Sequence, residues 1–307
     1  MKAQEIGAKA VKIINSVVNI CVITIIVLLS AFAVYALWDS EQIYKAADSS
    51  NYAIYKPALA DEGKSFKELQ VINPEVFAWL NVYGTNIDYP LTQGEDNMQY
   101  VNTNAEGLYS LSGSIFLDSN NSRDFSNFNN IVYGHHMEKK TMFGEIGDFS
   151  EKNIFDLHQY GNLYFDEEDH GIEFFAFIHA DAYDSAVFTA NVQEEERRTF
   201  LDNIHAKAIH KRDIEVTIND HLIMLSTCSS RSTNGRDILL GRITKEIYED
   251  TAIQAQKYGS KEYISINDQG GIVMSVSLWP LLLLLILVVR LIVDTLANNI
   301  YVNKVKQ

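Results

Sequence analysis

Cys228 is the residue whose type and setting point most directly to chemistry. It closes an apolar run, HLIMLSTC, and opens a polar one, SSRSTNGR. A thiol at a strand end beside a loop is held rigidly and can still be reached by a partner. The competing reading is a buried cysteine acting as a small hydrophobe, which is the commoner case. The neighbours therefore have to decide. A thiol attacks as its thiolate, and at an ordinary pKa of about 8.5 it is mostly protonated near neutrality. Cationic neighbours lower that value, and Arg231, Arg236 and Arg242 all follow within a short stretch. A histidine would complete the set by giving a proton to a leaving amine and taking one from an incoming amine. Of the eight histidines, only His135 and His136 sit at a predicted strand end just past a glycine, in NNIVYGHHMEKKTMFG. On residues alone either histidine could serve, and a cysteine–histidine enzyme stands level with an inert thiol.

The elements that must position these groups are mostly short β-segments. FAWLNVY, GSIFLD, NNIVYGH, LYFD, IEFFAFIHA, IEVTI, HLIMLSTC and DILLGRI are rich in Ile, Val, Phe and Tyr, with stretches of period two. Eight such strands with few helices predict a closed or nearly closed β-barrel, mainly β rather than βαβ. A short helix is expected over residues 65–72, ending before Asn73-Pro74. A second is expected in EEERRTFLDNIHAKAI, where Phe200, Leu201, Ile204 and Ala208 share one face. The acidic runs at 166–169 and 194–196 lack the alternating spacing of a calcium loop and are read as solvated surface.

Two apolar runs flank this region. The first extends from Val17 to Trp38 without a charge, and the second, IVMSVSLWPLLLLLILVV, precedes Arg290. Each is near the roughly 20 residues that span a bilayer as a helix. The first exceeds a signal-peptide core and lacks a clear A-x-A cleavage site, so it is read as an uncleaved anchor. Arg290 sits near the end of the second, where its long stem could snorkel to the headgroups. Lys2, Lys9 and Lys12 precede the first run, and Lys304 and Lys306 follow the second. Positive flanks stay cytoplasmic, so both termini are expected inside the cell membrane and the intervening region outside. Of the 40 acidic residues all but two lie between positions 39 and 271, as do all but six of the 25 basic ones, a balance of −19. Such a charge disfavours nucleic acid or anionic lipid as a partner. Cys21 lies inside the first run, so a disulfide with Cys228 is not expected. The expected organisation is a cytoplasmic 1–15, an anchor at 16–38, and a stalk or N-terminal helix at 39–65. A catalytic domain at 66–245 follows, then a linker at 246–271, a second span at 272–293 and a cytoplasmic 294–307.

Four blocks carry a family resemblance: NIDYPLTQGE (86–95), YVNTNAEGLYSLSGSIFLD (100–118), NNIVYGHHMEKKTMFG (129–144) and LSTCSSRSTNGRDILLGRI (225–243). In content, order and separation they resemble class B sortases, the cysteine transpeptidases of the Gram-positive cell surface. The papain signature around a catalytic cysteine is absent. The resemblance implies a sortase-like closed eight-stranded barrel with an N-terminal helix and an inserted helix, here flanked by two transmembrane helices. It implies that the histidine directly after Tyr-Gly, His135, is the catalytic one. Cys228 would attack a threonine carbonyl in the sorting signal of a surface protein or pilin, forming a thioacyl-enzyme. A peptidoglycan-precursor amine or a pilin lysine would resolve it, and such a reaction needs no metal or organic cofactor. The arginine before the last core strand, Arg236, is expected to hold substrate and the oxyanion, and Ser226 and Thr227 to line the substrate site. Hairpin geometry agrees, because Arg236 follows the turn signal Asn234-Gly235 and so begins the returning strand. Arg231 falls in the polar loop, and Arg242 lies roughly 20 Å further along an extended strand. The second span departs from the commonest class B pattern and is more familiar in pilin-polymerising sortases, but those of class C usually carry a lid, and residues 39–65 show no convincing one. A sortase-derived scaffold with a dead site, or a plain membrane-anchored cysteine endopeptidase, are the alternatives.

Overall fold

The computed structural model describes residues 2–57, 64–229, 233–250 and 290. The chain divides into two units, one holding residues 1–41 with 264–307 and the other residues 42–263. In the first unit runs most of helix α1 (Lys2–Ala46), whose apolar side chains, among them Ile13, Ile20, Leu28 and Phe32, are exposed. A helix satisfies its own backbone hydrogen bonds, which is what a lipid environment demands. Among the described residues this is the one helix long and apolar enough to cross a membrane. The expected second span, at 272–293, lies outside the described residues apart from Arg290.

The second unit is built on a sheet. Its elements are α2 (Lys64–Ile72), β1 (Val76–Val82), β2 (Asp88–Thr92), β3 (Ile115–Leu117), β4 (Asn129–Tyr133), α3 (Lys152–Leu157), β5 (Tyr160–Phe165), β6 (Glu168–Asp181), α4 (Arg197–Lys207), β7 (Ala208–Lys211), β8 (His221–Cys228) and β9 (Gly235–Thr244). The strand order β5-β1-β2-β3-β4-β8-β9-β6 closes on itself through β5–β6 pairing, and β7 adds to β6 outside the ring. This is the expected eight-stranded closed barrel. Two contacts are parallel, β2–β3 and β4–β8, and the rest antiparallel.

Period-two alternation divides the apolar residues of β8 and β9 between two cores. Ile223, Leu225 and Leu239 face the interior with Leu80, Phe149, Phe174 and Phe177. Leu222, Met224, Ile238 and Leu240 face outward, beneath Phe200, Leu201 and Ile204 of α4. Burial on both faces explains why HLIMLSTC reads as a continuous apolar run. The segment 39–65 contributes more than a tether, since Ala47 and Tyr52 are buried in the interior core.

The eight strands of the ring are not the eight expected. Residues 214–218, IEVTI, form no strand; Ile214, Val216 and Ile218 instead pack on the outer core. The missing ring member is β2, whose Pro90 lies opposite Trp79. Proline normally argues against a central strand because it lacks an N–H. Here β3 pairs only with Leu91 and Thr92, so that donor is not needed.

Candidate active site

Parallel pairing of β4 and β8 brings the first two groups together. Tyr133 lies opposite Ser226, and two residues beyond each come His135 and Cys228, at the same end of the barrel. The β8–β9 hairpin then sets Arg236 directly opposite Cys228, closed by a 2.8 Å hydrogen bond from the Ser229 N–H to the Gly235 carbonyl. One cavity of about 330 Å³ is lined by His135, Ser226, Thr227, Cys228 and Arg236, together with Asn97, Val101, Phe116, Tyr133 and Gly134. All five residues singled out in the sequence therefore meet in one place.

Cys228 is exposed and free. His135 is held by its ring: Nε2 lies 2.9 Å from the Val101 carbonyl oxygen. A carbonyl only accepts, so Nε2 carries the proton and Nδ1 is left to exchange one with a thiol. Gly134 lets the chain pass close to the core just before His135. A Cβ there would lie 2.5 Å from Ile115 Cδ1 and 2.7 Å from the Phe143 ring. Arg236 donates from Nη1 to the Gly235 carbonyl at 2.9 Å, which uses one of the five guanidinium donors.

Strand alternation separates the two hydroxyls beside the thiol. Ser226 shares a face with Cys228, and its buried Oγ has no hydrogen-bond partner. Thr227 turns the other way, into a row with Asp237 and His179. Its hydroxyl is likewise buried and unpartnered. In that row His179 Nδ1 and Asp237 Oδ1 approach to 2.6 Å, out of line for a hydrogen bond. The opposite wall is Tyr133, whose hydroxyl donates to Asp118 Oδ2 at 3.1 Å. Burial, and after it the Asp118 carboxylate, pushes this phenol well above its ordinary range, with Arg236 pulling the other way.

The remaining histidines are occupied elsewhere. His136 is exposed and bridges to Met142. His158, His210 and His221 bond to backbone carbonyls, His170 stacks on Phe165, and His205 lies against Phe175. Arg242 pairs with Glu173 at 2.5 Å, six residues along β9 from Arg236. Arg231 falls outside the described residues. Among the described residues no group of three His, Cys, Asp or Glu side chains could hold a metal ion. Asn97, Val101, Phe116 and Tyr133 went unforeseen; only Tyr133 had a signal, its place on β4 just before Gly134-His135.

No family model matches the chain. It is 29% identical over 184 residues to sortase B of Staphylococcus aureus, covering 59% of this chain and 75% of that protein. Among solved structures it is similar to sortase B from the type II pilus of Streptococcus pneumoniae, at 42% identity and a TM-score of 0.52. That match covers 59% of this chain and 99% of the other. It is also similar to Spy0129, a Streptococcus pyogenes class B sortase involved in pilus biogenesis, at 39% identity and a TM-score of 0.55, over 59% and 99% of the two chains. With its closed mixed barrel, this chain belongs to the class B sortase family.

Proposed function

We propose that this protein is a membrane-anchored cysteine transpeptidase that joins a sorting-signal-bearing protein to an amine. The observation that carries the reading is the meeting of His135, Cys228 and Arg236 in one cavity of a class B sortase barrel. The Cys228 thiolate attacks the carbonyl of the scissile threonine, and Arg236 donates hydrogen bonds to the oxyanion that develops. His135, its ring fixed through Nε2, protonates the leaving amine from Nδ1, and the C-terminal fragment departs. An acceptor amine then gives its proton to His135 and attacks the thioacyl carbon, which expels the Cys228 thiolate and forms a new amide. Ser226 offers its unpaired hydroxyl to the bound signal, and Thr227 supports it through the strand.

A pilin lysine is the acceptor we favour, because the two solved structures at 42% and 39% identity are described as pilus sortases. A peptidoglycan-precursor amine is the other candidate. We place the barrel outside the cell, anchored by α1 and by the second apolar run, with both termini cytoplasmic. The test offers the full chain NPxTN-like and LPxTG-like peptides, with triglycine, diaminopimelate peptides and a pilin domain as acceptors. Amine-dependent ligation supports the proposal. Cleavage at one rate with or without amine would indicate an endopeptidase, and binding without turnover a scaffold.

A further inference from the structure

The loop that carries His135 is strained and is held from one buried point. Lys139, Lys140 and Met142 all have positive φ, at 58°, 59° and 53°. Residues other than glycine persist in that region when their surroundings over-determine them, and they gather at functional sites. The loop folds back on the histidine: the Phe143 N–H donates to the His135 carbonyl at 3.0 Å, and His136 bridges to Met142. The surroundings that fix it converge on Tyr89. Its hydroxyl, buried on β2, donates to the Ala47 carbonyl at 2.8 Å and accepts from the Met142 N–H at 2.9 Å. One oxygen thus ties the segment just after α1 to the far limb of the histidine loop. A second tie lies at the surface, where the Tyr44 hydroxyl donates to Glu138 and the Lys139 ammonium sits 4.7 Å over the Tyr44 ring.

We infer that Tyr89 is a positioning residue for the proposed reaction, its hydroxyl clamping the 135–143 loop to the end of α1 so that the His135 imidazole stays aimed at Cys228. The inference rests on the reading of Cys228 and His135 as a reacting pair. Gly134 and the Val101 carbonyl fix the near side of the ring, and Tyr89 fixes the return limb. Removing the hydroxyl leaves a buried donor and a buried acceptor without a partner. The loop is then free to relax out of its left-handed conformations.

The test uses alkylation of Cys228 by iodoacetamide in the full chain, followed across pH by peptide mass spectrometry so that Cys21 does not interfere. The rate reports how readily the Cys228 thiol reacts, which an adjacent, correctly aimed imidazole raises. His135→Ala sets the unpaired reference. Tyr89→Phe is expected to slow alkylation about three- to tenfold at pH 6, toward that reference. Its kcat for sorting-peptide cleavage, per titrated thiol, should fall with KM unchanged. Tyr44→Ala removes the surface tie without touching the core and should move the same way by a smaller factor. Tyr52→Phe, a buried tyrosine of the same segment hydrogen-bonded to Ala105 instead, should leave the profile alone. If His135→Ala differs from wild type while Tyr89→Phe and Tyr44→Ala both match it, the inference is overturned. If His135→Ala itself matches wild type, the reacting pair beneath the inference fails.

Discussion

Replacing Arg236 by lysine keeps a positive charge at the start of β9 and removes the planar fork. Arg236 lies opposite Cys228 in the hairpin register and lines the same cavity. A guanidinium can present two parallel donors to one developing oxyanion, whereas an ammonium is a compact point charge. Its tie to the Gly235 carbonyl fixes where those donors point, and lysine, a residue without that fork, points less reproducibly. Loss of one oxyanion donor typically costs about 10²–10³ in turnover, or roughly 2.7–4 kcal/mol of transition-state stabilisation. We expect Arg236→Lys to lose about that factor in the rate of thioacyl formation, with the melting temperature unchanged. Arg231→Ala should stay within a few-fold of wild type. Arg242→Lys should spare turnover too, because its partner is Glu173, away from the cavity. Single-turnover acylation by a fluorogenic sorting peptide measures all three. A loss smaller than about fivefold for Arg236→Lys, or a larger one for Arg231→Ala, would refute the oxyanion assignment.

His135→Ala should lower turnover by several orders of magnitude and His136→Ala by a small factor, since only the first lines the cavity; steady-state ligation assays compare them. Gly134→Ala should cost about 2 kcal/mol of stability, or roughly 4–8 °C in Tm, by overpacking against Ile115 and Phe143. Its loss of activity should exceed that loss of folded protein, because the displaced residue precedes His135. Tags at either terminus should resist protease in intact cells while a tag near position 270 is cut. Cleavage of a C-terminal tag from outside would remove the second span from the account.

Much of this site was legible because its parts lie at strand ends with strong local signals. Cys228 ends a run apolar on both faces, His135 follows a glycine that only a tight approach requires, and Asn234-Gly235 announces the hairpin returning Arg236. β2 was obscured by Pro90, which is harmless only because the β3 ladder begins one residue later. Residues 214–218 looked like a strand because alternate apolar residues pack on the outer core, a pattern burial produces without a ladder. The Val101 carbonyl and the Tyr89 hydroxyl were beyond sequence reasoning for a different reason. The first meets His135 and the second meets the Met142 N–H, across 34 and 53 residues, and no local spacing encodes such contacts.

The central claim is that Cys228 carries the acyl group between donor and acceptor. Intact mass spectrometry of the full chain, quenched in acid after brief exposure to an intact sorting peptide without amine, tests it most directly. The wild-type chain should gain the mass of the peptide up to its threonine, lose it on adding the acceptor amine, and release the ligated product. Cys228→Ala should gain nothing while keeping its fold. An adduct on the alanine variant, or ligation by that variant, would contradict the account.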